Sequence, residues 1–240
     1  MARIEAVLFD KDGTLFDFAG TWRAVVSKVI DTLAPDAEAA VGMAQAGGFD
    51  RATGAFMPGS IIVAGSVEEV GAAWARYRPD LGAAGLAEEI ERMSLEAAAD
   101  PTILAPAVPD LGALLAALSA RGLALGVATN DSAAGAERQL TAAGVRGAFG
   151  FVAGYDSVRR AKPAPDMVLA FAAAHGLAPR ALAMVGDSTH DLEAARAAGV
   201  GLAVGVLTGP AGQAELAPHA DHVLPTIGGL PALFDRLAGV

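Results

Sequence analysis

Residues 4–15 of the chain read IEAVLFDKDGTL, an apolar run followed by two aspartates and a glycine. Apart from Glu5, the first six residues are hydrophobic, and a run that does not alternate with polar residues is typical of a parallel strand covered on both faces. Three further runs have the same character, and they are LALGVAT (123–129), ALAMVG (181–186) and GLAVGV (201–206). We therefore predict that these four segments are strands of one parallel sheet.

Helical stretches lie between these runs. DSAAGAERQLTAAG (131–144) begins with capping residues and stops at Gly144, and HDLEAARAAG (190–199) stops at Gly199 in the same way. Strands that alternate with helices at this spacing predict an α/β fold with a doubly wound, Rossmann-like parallel sheet.

The interval from about Phe16 to about Ala99 breaks this rhythm. It holds amphipathic helical patterns such as TWRAVVSKVIDTLA and AGLAEEIERMSLEAAA, and it has few strand runs. We predict a helical insertion after the first strand. A length of 240 residues suits one core with a sizeable insertion.

The charge of the chain restricts its partners. There are 17 basic and 27 acidic residues, a net charge of −10, and the three lysines (Lys11, Lys28 and Lys162) are scattered. No basic stripe is formed, so we expect neither nucleic acid nor an anionic membrane as a partner. An acidic protein repels phosphorylated molecules, so a phosphate site here needs a local cation or a bound metal.

Cysteine is absent, which excludes disulfides and thiolate metal sites and suits a reducing compartment. No signal peptide is expected, because Asp10 and Asp12 come before an apolar region could form. The mean hydropathy is +0.43, but Arg121 interrupts the most apolar stretch, which we interpret as a helix followed by a buried strand. We expect a cytoplasmic protein, and its oligomeric state stays open.

Two carboxylates follow the first strand. In an extended segment residues i and i+2 face the same way, so Asp10 and Asp12 are expected to converge on one site while Lys11 points elsewhere. Two carboxylates roughly 4 Å apart repel by about 4 kcal/mol at an effective dielectric near 20, so such a pair needs a reason to exist. The alternative interpretation is a polar turn in which Gly13 supplies unusual dihedral angles.

A second acidic segment, VGDSTHD (185–191), also follows an apolar run and leads into a helix. Asp187 occupies the strand-end position that corresponds to Asp10. Ser188 and Asp191 form an S-x-x-D pattern, so a capping box is an equally good interpretation of Asp191. Ligands of open α/β sheets bind beyond the carboxyl ends of the strands, so we expect Asp10, Asp187 and the end of LALGVAT to face one crevice.

Two further polar positions follow strands or sit in a rigid frame. Thr129 places a hydroxyl at a strand end, and for Asn130, Asp131 and Ser132 after it we prefer an ordinary N-cap. Lys162 precedes Pro163 in the segment AKPAP, which favours an extended backbone at the lysine, and Pro165 can open the next helix. A lone lysine is usually a solvated surface charge, but this chain has few.

The motifs DKDGTL, T-N, KPAP and GDSTHD, in this order, resemble the haloacid dehalogenase superfamily, specifically its phosphatases with a helical cap after the first motif. The resemblance covers the whole chain and implies a core of residues 1–16 and 100–240 with a cap of residues 17–99. It also implies a Mg²⁺ cofactor. The closest subgroup is that of the phosphoglycolate phosphatases.

The resemblance also implies roles for individual residues. Asp10 would be the nucleophile and Asp12 the general acid and base, with Asp187 a metal ligand that Asp191 supports. The full catalytic set is Asp10, Asp12, Thr129 and Lys162; the substrate-binding set is Thr129, Asn130, Lys162 and Arg51; and the metal set is Asp10, Asp12, Asp187 and Asp191. Lys11 departs from the apolar residue that often separates the two aspartates, which matters little if its side chain points away.

These residues predict hydrolysis of a small phosphorylated metabolite. Lys162 alone cannot balance three carboxylates beside a phosphate dianion, so a divalent cation is required, and Mg²⁺ suits such a site. A sugar-phosphate mutase on the same core is the main alternative. A dehalogenase would leave Asp12 without a task, a signalling receiver domain is about half this length, and a non-catalytic sensor would have lost Asp10 or Asp12.

Substrate contacts from the insertion are harder to predict. Its segment GGFDRATGAFMPGS contains glycines that suggest a loop reaching towards the core, with Arg51, Met57 and Ser60 as candidate contacts. A solvated loop is the alternative interpretation.

Overall fold

The computed structural model describes residues 3–57, 59–98, 100 and 102–239. The chain forms two compact units. One unit is made of two segments, the residues up to Phe18 and those from Leu104 onwards. The other unit spans Ala19–Ile103. The insertion predicted from about Phe16 to about Ala99 overlaps the second unit, and its role as a cap stays a prediction.

In chain order the strands and helices are β1 (Ala6–Phe9), α1 (Phe18–Leu33), α2 (Ala37–Gly47), β2 (Phe49–Asp50), β3 (Ala55–Phe56), α3 (Ile61–Ala64), α4 (Val67–Trp74), α5 (Gly82–Ala98), α6 (Leu111–Ser119), β4 (Ala124–Ala128), α7 (Ala133–Ala142), β5 (Phe151–Ala153), α8 (Asp166–Ala174), β6 (Leu182–Gly186), α9 (Thr189–Ala198), β7 (Leu202–Val206), α10 (Gln213–Leu216), β8 (His222–Leu224) and α11 (Leu230–Ala238).

The first unit is built on a six-stranded sheet in the order β5-β4-β1-β6-β7-β8. All its neighbouring strands pair in parallel. The four strands predicted from apolar runs are the central ones, and Leu8 of β1 lies in register with Gly126 of β4 and Met184 of β6. The predicted parallel α/β sheet is confirmed.

Apolar side chains cover both faces of this sheet. Val7 and Phe9 of β1 belong to one buried cluster, which includes Leu115 of α6, and Ala6 and Leu8 belong to another on the opposite face. Successive residues of a strand point to opposite faces, so burial on both sides requires the continuous apolar run seen in the sequence.

The two helices predicted after β4 and β6 are confirmed as α7 and α9. The Ser132 hydroxyl accepts a hydrogen bond from the Gly135 N–H (3.1 Å) and caps α7. Helix α9 ends at Ala198 and is capped by Gly199, whose φ of 73° is in the left-handed region. No helix in the described part of the chain is both long and apolar enough to cross a membrane.

The second unit contains helices α2 to α5, most of α1 and a short antiparallel hairpin, β2 with β3. Its core includes the buried side chains of Ile30, Met43 and Leu86. Trp74 is buried among them, and its indole N–H donates to the Met43 carbonyl oxygen (2.7 Å). This unit therefore has an apolar core of its own.

Candidate active site

The acidic and polar residues predicted from the sequence follow three neighbouring strands. Asp10 follows β1, Asp187 follows β6 and Thr129 follows β4. The order β4-β1-β6 places β1 between the other two, and the Asp10 N–H donates to the Val185 carbonyl oxygen of β6 (2.8 Å). Parallel strands end at the same edge of a sheet, so these residues share that edge.

Three buried carboxylates meet there. Asp10, Asp187 and Asp191 each have an oxygen within 4.8 Å of the others, and we call them the acidic triad. The Lys162 ammonium donates to Asp10 Oδ1 (2.6 Å), to Asp191 Oδ1 (2.6 Å) and to the Ala128 carbonyl oxygen (2.8 Å). An ammonium has three donors, and all three are used here.

The triad holds more negative charge than Lys162 can balance. Burial, and then repulsion by Asp10 and Asp191, raise the pKa of Asp187 to about 9. Burial also raises the pKa of Asp10, to about 6, although Lys162 opposes the shift. Burial lowers the pKa of the Lys162 ammonium, but Asp10 and Asp191 outweigh it, so the pKa rises overall. The donor set therefore fits an oxygen-seeking divalent cation such as Mg²⁺.

Backbone and one hydroxyl enclose the Asp187 carboxylate. The Thr14 Oγ1 lies 3.4 Å from Asp187 Oδ1. A Cβ at Gly13, where φ is 80°, or at Gly209 would collide with the Asp187 carboxylate. Both positions therefore require glycine for this close approach. The sequence indicates a turn at Gly13, whereas no motif in the sequence marks Gly209.

Asp191 belongs both to the capping box of α9 and to the acidic triad. Its Oδ2 accepts from the Ser188 N–H (3.1 Å) and from the Ser188 hydroxyl (2.6 Å), which completes the capping box of α9. Its Oδ1 accepts from Lys162. The cap fixes the orientation of the carboxylate, so the helix start also positions a member of the triad.

Asn130 does not cap α7, and that part of the prediction is wrong. Its amide nitrogen donates to the Lys162 carbonyl oxygen (3.0 Å), and its amide oxygen accepts from the Lys162 N–H (3.1 Å). Asp131 is not the cap either, since Ser132 is. The buried Thr129 hydroxyl accepts from the Asp131 N–H (3.1 Å). Asn130 thus holds the backbone of the lysine that serves the triad.

Lys11 does not point away from the aspartates, contrary to the expectation from strand alternation. Its side chain is 1% exposed, its ammonium donates to Asp12 Oδ2 and to Gln139 Oε1, and it lies 3.0 Å from Asp131 Oδ2. Strand β1 ends at Phe9, and the Leu15 N–H donates to the Lys11 carbonyl oxygen (2.9 Å) in a turn. Alternation therefore no longer applies at Lys11.

Asp12 belongs to this second cluster and is not a member of the acidic triad among the described residues. The Gln139 amide nitrogen lies 3.5 Å from Asp12 Oδ1. Burial raises the pKa of Asp12 despite the opposing effect of Lys11, whereas Lys11 outweighs burial and lowers the pKa of Asp131. Sequence reasoning missed Gln139, although Ala136, Gln139 and Leu140 share the buried face of α7 at helical spacing.

The candidate contacts from the insertion lie in the second unit. The exposed Arg51 guanidinium donates to Asp31 Oδ1 (2.6 Å), and the Met57 side chain is exposed. Ser60 is buried, and its hydroxyl donates to the Gly47 carbonyl oxygen (2.8 Å). Substrate contact by these residues stays a prediction, with Ser60 already engaged in the local structure.

Curated relatives include phosphoglycolate phosphatases. The one from Escherichia coli (strain K12) is 41% identical over 119 residues, which are 48% of this chain and 46% of that protein. The one from Shigella boydii is 40% identical over 124 residues, which are 50% of this chain and 48% of that protein. The chain thus aligns with about half the length of these relatives.

Solved structures share the fold along nearly the whole chain. A predicted phosphoglycolate phosphatase from Haemophilus somnus matches with a TM-score of 0.70 at 21% identity, covering 97% of this chain and 99% of that one. A β-phosphoglucomutase from Clostridium difficile matches with a TM-score of 0.62 at 17% identity, covering 99% and 100%. The sequence profile of the haloacid dehalogenase-like hydrolases matches residues 4–199. The chain therefore belongs to the haloacid dehalogenase-like hydrolase family.

Proposed function

We propose that the protein is a Mg²⁺-dependent phosphatase that hydrolyses small phosphorylated metabolites through an aspartyl-phosphate on Asp10. The observation that carries the proposal is the position of Asp10 at the end of β1, bonded to Lys162 (2.6 Å) and beside Asp187. A carboxylate held there can act as a nucleophile, with cationic charge next to it for the phosphate.

The acidic triad would hold the cation. Asp10 and Asp187 would contact it, and Asp191, which is tied to both Ser188 and Lys162, would support them. When bound, Mg²⁺ supplies positive charge that offsets the repulsion between the phosphate and the carboxylates. Asp12, which the sequence assigns to the same metal set, accepts a hydrogen bond from Lys11, and its contact with the cation stays a prediction.

The reaction divides between the two aspartates that follow β1. The Asp10 carboxylate attacks phosphorus in line, forms the O–P bond of an acyl phosphate and displaces the alkoxide. Asp12 donates its proton to that alkoxide and, as a carboxylate, then takes a proton from the water that cleaves the intermediate. Thr129 would bind the phosphoryl oxygens, and so would Lys162, whose ammonium would exchange its bond to the Asp10 carboxylate for one to the phosphoryl group as Asp10 attacks. Because Asn130 already bonds to the Lys162 backbone, we assign it to holding the lysine in place.

The relatives support a substrate class. Two curated phosphoglycolate phosphatases match at about 40% identity, which supports a small phosphorylated acid as substrate. A sugar-phosphate mutase is the second candidate, since a β-phosphoglucomutase shares the fold. A mutase would convert a sugar monophosphate without net release of phosphate, so a release assay separates the two.

The test is phosphate release from a panel of phosphorylated metabolites that includes phosphoglycolate and glucose 1-phosphate. We expect release in Mg²⁺, none in EDTA and recovery when Mg²⁺ is restored. Asp187→Asn should raise the Mg²⁺ requirement steeply, and Asp235→Asn, at a half-exposed aspartate, is the matched control. Full activity in EDTA would contradict the mechanism.

A further inference from the structure

Lys11 and Gln139 form a buried polar contact that the mechanism above does not use. The Lys11 side chain is 1% exposed and Gln139 is 2% exposed. Burying a charge and an amide costs free energy unless both are bonded, so the surroundings must supply partners. Here the partners include Asp12, the residue assigned as acid and base.

The contacts of the Lys11 ammonium are complete. Its three acceptors are Asp12 Oδ2, Gln139 Oε1 and Asp131 Oδ2, and an ammonium has three donors. These acceptors come from the turn after β1, from α7 and from the segment before α7. The ammonium is therefore fixed from several elements of the core unit.

Gln139 joins the lysine to the aspartate. Its amide oxygen accepts from Lys11, and its amide nitrogen lies 3.5 Å from Asp12 Oδ1. Each oxygen of the Asp12 carboxyl thus has its own neighbour, Lys11 at Oδ2 and Gln139 at Oδ1. Two contacts at two oxygens restrict rotation of the carboxyl group, which one contact would not do.

We propose that Gln139, acting together with Lys11, is a positioning residue that orients the Asp12 carboxyl for proton transfer. The inference rests on the proposed function, because it takes Asp12 as the acid and base. Proton transfer requires the carboxyl within hydrogen-bond reach of the leaving oxygen, so a freely rotating carboxyl would slow it. A purely structural role, tying α7 to the turn after β1, is the alternative.

A positioning role and a purely structural role of Gln139 predict different effects of the leaving group on the rate. Nitrophenolate leaves as a stable anion and hardly needs an acid, whereas the alkoxide of phosphoglycolate needs one. Gln139→Met removes both amide contacts at similar volume. We expect about a 10-fold or greater loss of phosphoglycolate cleavage, with the first-turnover release from p-nitrophenyl phosphate within about 3-fold of wild type. Later turnovers should also slow about 10-fold, because hydrolysis of the intermediate needs Asp12 as a base.

Rapid-quench kinetics in saturating Mg²⁺ measures these rates. Lys11→Met should give the same split, and the double variant should lose less than the product of the two single losses, because the residues act as a unit. Arg138→Met, at an exposed neighbour on α7, should match wild type. If Gln139→Met does not fold, Gln139→Glu replaces it. The glutamate keeps an acceptor for Lys11 but has no donor for Asp12. We again expect a larger loss for phosphoglycolate than for the first turnover of p-nitrophenyl phosphate.

The outcomes test the phosphatase function and the positioning role of Gln139 separately. Equal losses for both esters and all turnovers, or no loss in any, would overturn the positioning role while leaving the phosphatase intact. Absence of phosphate release by the wild-type protein from every ester, with Mg²⁺ present, would overturn the proposed function and this inference with it.

Discussion

The core unit contains two lysine-centred clusters of closely similar composition. Lys162 donates to two carboxylates and to the Ala128 carbonyl oxygen. Lys11 contacts two carboxylates and the Gln139 amide oxygen. The difference is Asp187, a third carboxylate beside the Lys162 cluster, whose pKa burial and repulsion raise to about 9.

We expect that one carboxylate to give the two clusters different tasks. The Lys11 cluster satisfies the lysine with internal partners and can orient a side chain without further charge. The cluster around Lys162 has one carboxylate more, so its native electrostatics favour binding of a divalent cation. An amide supports each lysine, since Asn130 holds the Lys162 backbone and Gln139 holds the Lys11 side chain.

The largest expected effect comes from removing one aspartate of each cluster in turn. Asp10→Asn removes the proposed nucleophile, so turnover of every ester should fall on the order of 10⁴-fold or more, with no burst. Asp12→Asn should strongly slow the hydrolysis of alkyl esters. The variant should still release up to one nitrophenolate per site from p-nitrophenyl phosphate. Rapid quench should then show slow turnover and a trapped acyl phosphate on Asp10.

The same experiment can break the comparison. Equal rate losses for activated and alkyl esters in Asp12→Asn, with no burst and no trapped intermediate, would mean that Asp12 positions the metal or the nucleophile. The two clusters would then share one task.

The sequence predicts the buried parts of this molecule better than its edges and turns. The four central strands are continuous apolar runs because helices cover both faces of the sheet. The edge strands β5 and β8 have only three residues each and are partly exposed, so no such run marks them. A parallel strand can be predicted from sequence when it is buried on both faces, because it is then a continuous apolar run.

The candidate site divides in the same way. Asp10 and Asp187 could be placed because each directly follows a predicted strand. Lys11 could not, since the turn after β1 ends the strand alternation and brings its side chain back to Asp12. Gly209 and Gln139 depend on tertiary contacts with residues distant in sequence, which local patterns do not encode.

A smaller effect is expected from the amide that supports Lys162. Asn130→Ala removes both hydrogen bonds to the Lys162 backbone, so the ammonium should be less well placed for the phosphoryl group. We expect kcat/KM to fall about 10- to 100-fold in steady-state assays, as for other positioning contacts. Asn130→Asp, which retains only the acceptor, should fall between Ala and wild type; full activity of Asn130→Ala would show that Lys162 does not need this support.

The last expected effect is one on stability, in the absence of metal, rather than on activity. In the unfolded chain Asp187 has its ordinary pKa of 3.8, and in the native protein the pKa is about 9. Between these values the native state holds a proton that the unfolded state lacks, so the contribution of Asp187 to stability is fully present below pH 3.8 and is lost as the pH rises towards 9. Asp10, with a native pKa of about 6, adds to the loss below that pH.

Thermal unfolding in EDTA between pH 5 and pH 8 should therefore show a falling Tm. Each proton changes the free energy of unfolding by at most about 1.4 kcal/mol per pH unit. The Tm of a protein of this size shifts by about 2–4 °C per kcal/mol. Asp187→Asn should remove most of the slope above pH 6, since asparagine does not titrate. The matched variant in the other cluster, Asp131→Asn, should keep that slope, because Lys11 lowers the pKa of Asp131 and leaves it ionised in both states above pH 5. A flat Tm in the wild-type protein, or an unchanged slope in Asp187→Asn, would show that the charge of the triad is balanced without metal, and the contrast between the two clusters would then be lost.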